Sequence, residues 1–171
     1  YPCHRSRRLA AAFGHRRLAT PESMTPETVF DIASLTKVVA TTPAVLQLAE
    51  QGRLELDAPV NRYWPQFKGH GKNRITVRQL LTHYSGLRPG LLPKPAWSGY
   101  DAALNQIAAD TPSHPPDSRF IYSDLNFIIL GELIRRVSGQ PIEDYCRQHI
   151  FDPLGMRDTG FKPPQPLYQH L

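Results

Sequence analysis

The chain has 171 residues, with 20 basic against 15 acidic side chains for a formal net charge of +5, and is 40% apolar and 20% charged. That is the composition of one ordinary globular domain, able to bury about 70% of its unfolded surface, and it excludes a disordered or fibrous chain. The longest uncharged apolar run, around residues 127–131, is far too short to span a bilayer, and Cys3 and Cys146 are too few for a zinc site or a disulfide framework.

Residues 1–17 carry Arg5, Arg7, Arg8, Arg16 and Arg17 with no acid, and the remainder is balanced. Such a basic arm can engage phosphate or anionic lipid, but it reads first as a solvated terminus, and nucleic acid is not an expected partner. The first residue is Tyr1 rather than Met, so an upstream leader or domain is expected in the parent protein. The first interpretable structure begins near Met24: Thr25, Pro26 and Thr28 predict a turn, and Val29, Phe30 and Ile32 a short buried run. From Ser34 a helical period places Leu35, Val38, Val39, Thr42, Val45, Leu46 and Ala49 on one broad face, with Gly52 as a stop. Pro43 is expected to kink this helix, at up to about 3 kcal/mol if nothing compensates.

Residues 54–67 are broken by prolines, and residues 68–74 form a polar loop. Thr76-x-x-Gln79 matches a capping box opening a short helix with Val77, Leu80 and Leu81 inward, closed by Ser85-Gly86. After a Pro- and Gly-rich connection over 88–99, residues 100–109 predict a modest helix. The prolines of 111–117 exclude helix and deliver the chain to Phe120-Ile121-Tyr122. A strong helix follows, with Ser123 or Asp124 as cap, Leu125, Ile128, Ile129, Leu133 and Val137 inward, and Gly139 at its end. Pro141 opens another, with Ile142, Tyr145, Cys146 and Ile150 at helical spacing. Residues 151–161 are a turn-rich exit and 162–171 a Pro-rich tail. The chain shows no internal repeat, and its excess of helix over strand implies a missing partner sheet.

Chemistry first enters at Ser34-Leu35-Thr36-Lys37. A serine at a helix start with a lysine one turn on sets an amine where it can take the hydroxyl proton, provided burial lowers the lysine pKa. The helix N-terminus also offers N–H groups to a developing oxyanion. A chain with 9 serines and 5 lysines can produce this spacing by chance, so the alternative is an N-cap serine followed by an exposed lysine. For Tyr122 alone the alternative is a core-edge tyrosine ahead of a helix.

The surrounding words carry more information. Thr28-Val29-Phe30-Asp31-Ile32-Ala33-Ser34-Leu35-Thr36-Lys37 resembles the nucleophile segment of the serine β-lactamase and penicillin-binding-protein superfamily. Leu80-Leu81-Thr82-His83-Tyr84-Ser85-Gly86-Leu87 is similar to its "LLTHTSGL" segment, and Phe120-Ile121-Tyr122-Ser123-Asp124-Leu125-Asn126 to its Tyr-x-Asn motif and following helix. Gly131-Glu132-Leu133-Ile134, Ser138-Gly139-Gln140-Pro141, Phe151-Asp152-Pro153-Leu154-Gly155-Met156 and Thr159-Gly160-Phe161 continue the match in order. The tyrosine in the second motif is closest to the class C β-lactamases, related esterases and D-Ala-D-Ala carboxypeptidases. The wording most resembles bacterial serine hydrolase domains, some of them fused behind β-N-acetylhexosaminidases.

The resemblance implies an α+β fold of the β-lactamase/transpeptidase type, an antiparallel sheet flanked by helices, of which residues 1–171 form a partial domain: mainly the helical region, with an incomplete sheet. It implies Ser34 as acylated nucleophile, Lys37 as general base and Tyr122 as proton relay. Asp124 becomes a substrate-binding position, where the better-known enzymes have Asn. A carboxylate only accepts hydrogen bonds, whereas an amide also donates, so Asp124 leans the expectation toward ester or other acyl substrates. The expected partner is a small-molecule or peptidoglycan-like acyl substrate in the periplasm or outside the cell, with no cofactor.

The family's third motif, Lys-Thr-Gly or a His-x-Gly variant, is not found after Phe161, so the chain is expected to be truncated and incomplete for activity. The alternative function is a non-catalytic member of the same fold that binds muropeptides. Among the 7 histidines no ligand spacing occurs, so no metal is expected. His83 and Ser85 are expected to face different ways in a loop, and Gly69, Gly71 and Gly99 lie in no phosphate-cradling pattern. Tyr63, Trp64 and Trp97 either rim a cleft or anchor loops.

Overall fold

A computed structural model describes residues 11–162 except Leu18, Thr20 and Pro95. The outer parts of the Arg-rich arm, Cys3 and the tail beyond Lys162 lie outside the described residues. The chain divides into two compact units, Ser34–Thr159 and a smaller one drawn from Tyr1–Ala33 and Gly160–Leu171.

In the smaller unit, β1 (His15–Arg17) pairs antiparallel with β2 (Glu22–Ser23), His15 opposite Ser23 and Arg17 opposite Glu22, with a register irregularity between. Structure therefore begins ahead of Met24. The hairpin is too short and polar to show alternation in sequence, and part of its support is ionic: Glu22 pairs with both Arg16 and Arg17. Phe30 and Ile32 are exposed rather than forming a buried run.

The larger unit is helical. Its axis is α4 (Asp124–Ser138), which packs on α1 (Thr42–Glu50), α2 (Val77–Leu81) and α5 (Ile142–Cys146). Leu125, Ile129, Leu130, Leu133 and Ile134 of α4 are fully buried, each contributing about 2 kcal/mol of apolar burial. Gly139 ends α4 in the left-handed conformation at φ 80°, its N–H donating to the Arg135 carbonyl. The capping box of α2 forms as the sequence predicts, Thr76 Oγ1 accepting from Gln79 N and Gln79 Oε1 from Thr76 N. α3 (Tyr100–Ala109) buries Ala103, Leu104 and Ile107.

The Ser34 segment departs from one continuous kinked helix. A 3-10 turn at Ala33–Leu35 leads into a π-helical stretch at Lys37–Thr41 before α1 begins. Pro43 sits in the first turn of α1, where a missing N–H costs little, and the widened turn, with Thr42 N–H bonded to the Lys37 carbonyl, takes up the mismatch. Only part of the expected apolar face is covered: Val45 is buried, but Leu35, Val38 and Leu46 are exposed. The 68–74 segment is less solvated than its polarity implies. A 3-10 turn at Lys72–Arg74 buries Lys72, whose Nζ donates to the carbonyls of Ala108 (2.6 Å) and Asp110 (2.5 Å) at the end of α3.

Trp64 is buried and stacks on Phe67 at 5.6 Å, the Tyr63 hydroxyl accepts from Glu55 N, and Trp97 Nε1 donates to the Leu92 carbonyl. All three aromatic side chains anchor loops. Cys146 is buried beside the Ala40 carbonyl, and burial pushes its thiol up to about 12, which makes it a packing residue. Among the described residues no helix is long and apolar enough to cross a membrane.

Candidate active site

The 3-10 turn presents Ser34 to solvent, and Lys37 follows as the first residue of the π-helical stretch, so the two side chains lie on one side of the chain with Lys37 Nζ donating to Ser34 Oγ at 3.4 Å. Ala33, immediately before Ser34, holds a left-handed φ of 44°, a conformation non-glycine residues adopt at a cost, and its N–H donates to Asp31 Oδ1 at 2.8 Å.

The third and fourth side chains arrive from the α4 entry. Tyr122 lies in the extended lead-in and Asp124 is the first residue of α4. Lys37 Nζ sits 2.7 Å from Asp124 Oδ1 and 4.9 Å from the centroid of the Tyr122 ring, with the Phe127 ring at 5.6 Å on the next turn. The Lys37 ammonium and the Ser34 hydroxyl beside it favour the charged form of the Tyr122 phenol and hold its pKa below the ordinary phenol value. Four residues drawn from two widely separated segments thus meet at one place.

The lysine does not behave as the sequence argument requires. Burial does push its ammonium pKa down, but the hydrogen bonds to Asp124 and Tyr122 and their negative charge outweigh that, and the net shift is upward. The ammonium form of Lys37 is thus favoured, by Asp124 first and then by Tyr122. Asp124 is also not the helix cap: its side chain faces Lys37, while Ser123, at the N-cap position, turns its hydroxyl to the Arg88 carbonyl at 2.5 Å.

Behind these residues lies a buried polar layer that spacing alone did not reveal. His83 is buried, with its ring 4.5 Å from that of Tyr122 and in further contact with Phe120 and Phe127. Its Nδ1 lies 3.1 Å from Ser123 N and 3.2 Å from Asn126 Nδ2. Ser85 Oγ donates to Asn126 Oδ1 at 2.6 Å and accepts from Leu87 N at 3.2 Å. His83 and Ser85 therefore face a shared buried network, not unrelated directions. The one sequence signal for this layer was that residues 80–87 and 120–126 each matched a family word. A backbone contact fastens the two together, Ile121 N donating to the His83 carbonyl, and Asp117 N, just ahead of the second segment, donates to that of Tyr84. Among the described residues no group of three or more His, Cys, Asp or Glu side chains gathers to hold a metal ion.

Comparison with known proteins identifies the family. A β-lactamase family profile matches residues 4–168. An N-acetylmuramyl-L-alanine amidase of Bacillus subtilis (strain 168) is 31% identical over 172 residues, covering 89% of this chain and 39% of its own. FmtA from Staphylococcus aureus superposes with a TM-score of 0.81 at 27% identity, over 93% of this chain and 44% of that one. EstCE1, a hydrolase with promiscuous acyltransferase activity, superposes with a TM-score of 0.75 at 27% identity, over 86% and 43%. The chain spans about two fifths of the length of these relatives. With a profile match over nearly its whole length and two solved relatives of the same fold, the chain belongs to the β-lactamase family, within the superfamily of serine β-lactamases and penicillin-binding-protein-like hydrolases.

Proposed function

We propose that this chain carries the acylation centre of a serine hydrolase that works through a covalent acyl-enzyme, on ester, D-amino-acid peptide or β-lactam type substrates. The observation that supports it most is the convergence of Ser34 and Asp124 on Lys37 Nζ, at 3.4 and 2.7 Å, with the Tyr122 ring centroid 4.9 Å from the same atom. Ser34 Oγ attacks the acyl carbon while its proton passes to the Tyr122 phenolate, and the carbonyl oxygen becomes an oxyanion. The oxyanion collapses, the acyl–leaving-group bond breaks, and Tyr122 returns the proton to the leaving group. Water then enters, gives its proton to Tyr122 and its oxygen to the acyl carbon, and Ser34 leaves with the proton restored.

The Lys37 ammonium lowers the phenol pKa, which favours Tyr122 as the exchanging base. Asp124 holds that ammonium with Oδ1 and, being an acceptor only, favours substrates that do not ask it to donate. An ester meets that condition, and EstCE1 by its description is a hydrolase with acyltransferase activity.

The test is labelling of the full-length parent with a fluorophosphonate or a fluorescent penicillin, followed by peptide mapping. Modification at Ser34, absent from Ser34→Ala, is expected. Label on another residue, or none, overturns the reading, and muropeptide binding that survives Ser34→Ala without turnover would establish the non-catalytic alternative.

A further inference from the structure

The buried layer under Tyr122 has a direction that can be worked out donor by donor. The Ser123 backbone N–H can only donate, so His83 Nδ1 accepts there. That sets the Asn126 amide with its nitrogen toward the same Nδ1, to which it donates. Asn126 Oδ1 then accepts from Ser85 Oγ, which in turn accepts from the Leu87 N–H. An imidazole nitrogen facing two donors must carry no proton, so His83 is neutral with its hydrogen on Nε2. The residue also occupies a left-handed φ of 62°, which a non-glycine side chain holds only when its surroundings demand it.

We propose that His83 is a positioning residue of this site: as the neutral Nε2–H tautomer it fastens the Ser123 end of α4 through Nδ1 and, through its ring, seats Tyr122 within reach of Ser34 and Lys37. This rests on the acyl-enzyme reading for its effect on rate, though not for its structural content. The charged groups facing the imidazole are Lys37 from the π-helical stretch and Asp124 from α4, with the Tyr122 phenol stacked on it. Burial and the Lys37 charge disfavour the imidazolium, and Asp124 only partly offsets them.

When acid does protonate Nδ1, the new N–H points at two donors. Asn126 can rotate its amide, but the Ser123 backbone N–H cannot change role, so the contact turns repulsive and the Tyr122 support is lost. The neutral form is therefore required above the pKa of His83, and the site fails as pH falls through it.

Two variants separate the nitrogen from the ring. In His83→Asn the side-chain carbonyl replaces the Nδ1 acceptor and tolerates the left-handed backbone, but the ring is gone. In Asn126→Asp the Ser85 link is kept but the donor to Nδ1 is lost, and the carboxylate now facing Nδ1 favours its protonation and raises the His83 pKa. NMR of labelled histidine should report the Nε2–H tautomer in the wild type, and the Tyr122 ring-carbon titration should move to higher pH in His83→Asn. In the full-length parent, His83→Asn should lower the maximal rate of Ser34 labelling at least tenfold with little change in half-saturating reagent concentration. Asn126→Asp should carry the acid limb of labelling and the His83 titration upward together. An Nδ1–H tautomer, a Tyr122 titration unmoved in His83→Asn, or an acid limb that ignores Asn126→Asp would overturn the proposal. If wild-type Ser34 takes no label, the acyl-enzyme reading fails while the tautomer and the Tyr122 titration still decide the role of His83.

Discussion

Lys37 and Asp124, 87 positions apart in sequence, meet at 2.7 Å, so the ammonium one turn beyond Ser34 is paired with a carboxylate. A lysine beside a nucleophilic serine can act as a base only when its ammonium is disfavoured, and here a carboxylate favours it. The same ammonium favours the charged form of the Tyr122 phenol.

Replacing Asp124 by Asn removes the largest force holding the Lys37 pKa up and leaves burial pushing it down. A raised lysine pKa contributes stability present below its unfolded value and lost as pH rises through the folded one, so the variant loses its ammonium at lower pH than the wild type. The alkaline limb of Ser34 labelling should move to lower pH, as read from a pH–rate profile. Asp124 is 59% exposed, so stability should fall by less than about 1 kcal/mol. An alkaline limb that stays in place would show that Asp124 does not govern the charge on Lys37.

Gly86 joins the His83 loop to the segment carrying Tyr122. It adopts φ 77°, its carbonyl accepts from Ser113 N, and an added Cβ would stand 2.0 Å from the His114 carbonyl oxygen. Both the backbone and the space forbid a side chain, so Gly86→Ala should cost about 2–4 kcal/mol in urea unfolding. Gly90→Ala, with open space and no positive φ, should fall within about 0.5 kcal/mol of the wild type. Equal effects of the two would refute the close-approach argument.

Glu132 is fully buried in α4, where it accepts from Tyr100 Oη at 2.7 Å, Arg135 Nε at 2.7 Å and Arg136 Nε at 2.5 Å. Burial raises its pKa, but the hydrogen bonds from Arg135, Tyr100 and Arg136 win and hold it below the ordinary 4.5. A lowered carboxyl pKa stabilises the fold above the unfolded value, and that stabilisation fades as pH falls through the folded one. Glu132→Gln should lose about 1–3 kcal/mol near neutral pH and show a shallower loss of stability on acidification, by urea midpoints across pH 3–7. Parallel midpoint curves for the two proteins would assign the acid sensitivity to other carboxylates.

Much of the helical scaffold could be read directly because its signals are local. Thr76 and Gln79 lie one turn apart, Gly139 supplies the left-handed end of α4, and apolar spacing marks the buried face of that helix. The Ser34 segment is harder, since the apolar period does not distinguish α from π winding and Pro43 reads the same in either. The short hairpin carries too few residues for alternation to register.

The sequence by itself determined which side chains could do the chemistry: a serine and a lysine one turn apart, a tyrosine ahead of a helix, and the family words around them. Only the tertiary structure decided their state. The proton preferences of Lys37, Tyr122 and His83 depend on partners 87, 85 and 40 or more positions away. A charge responds to distance in space, which linear spacing leaves unspecified.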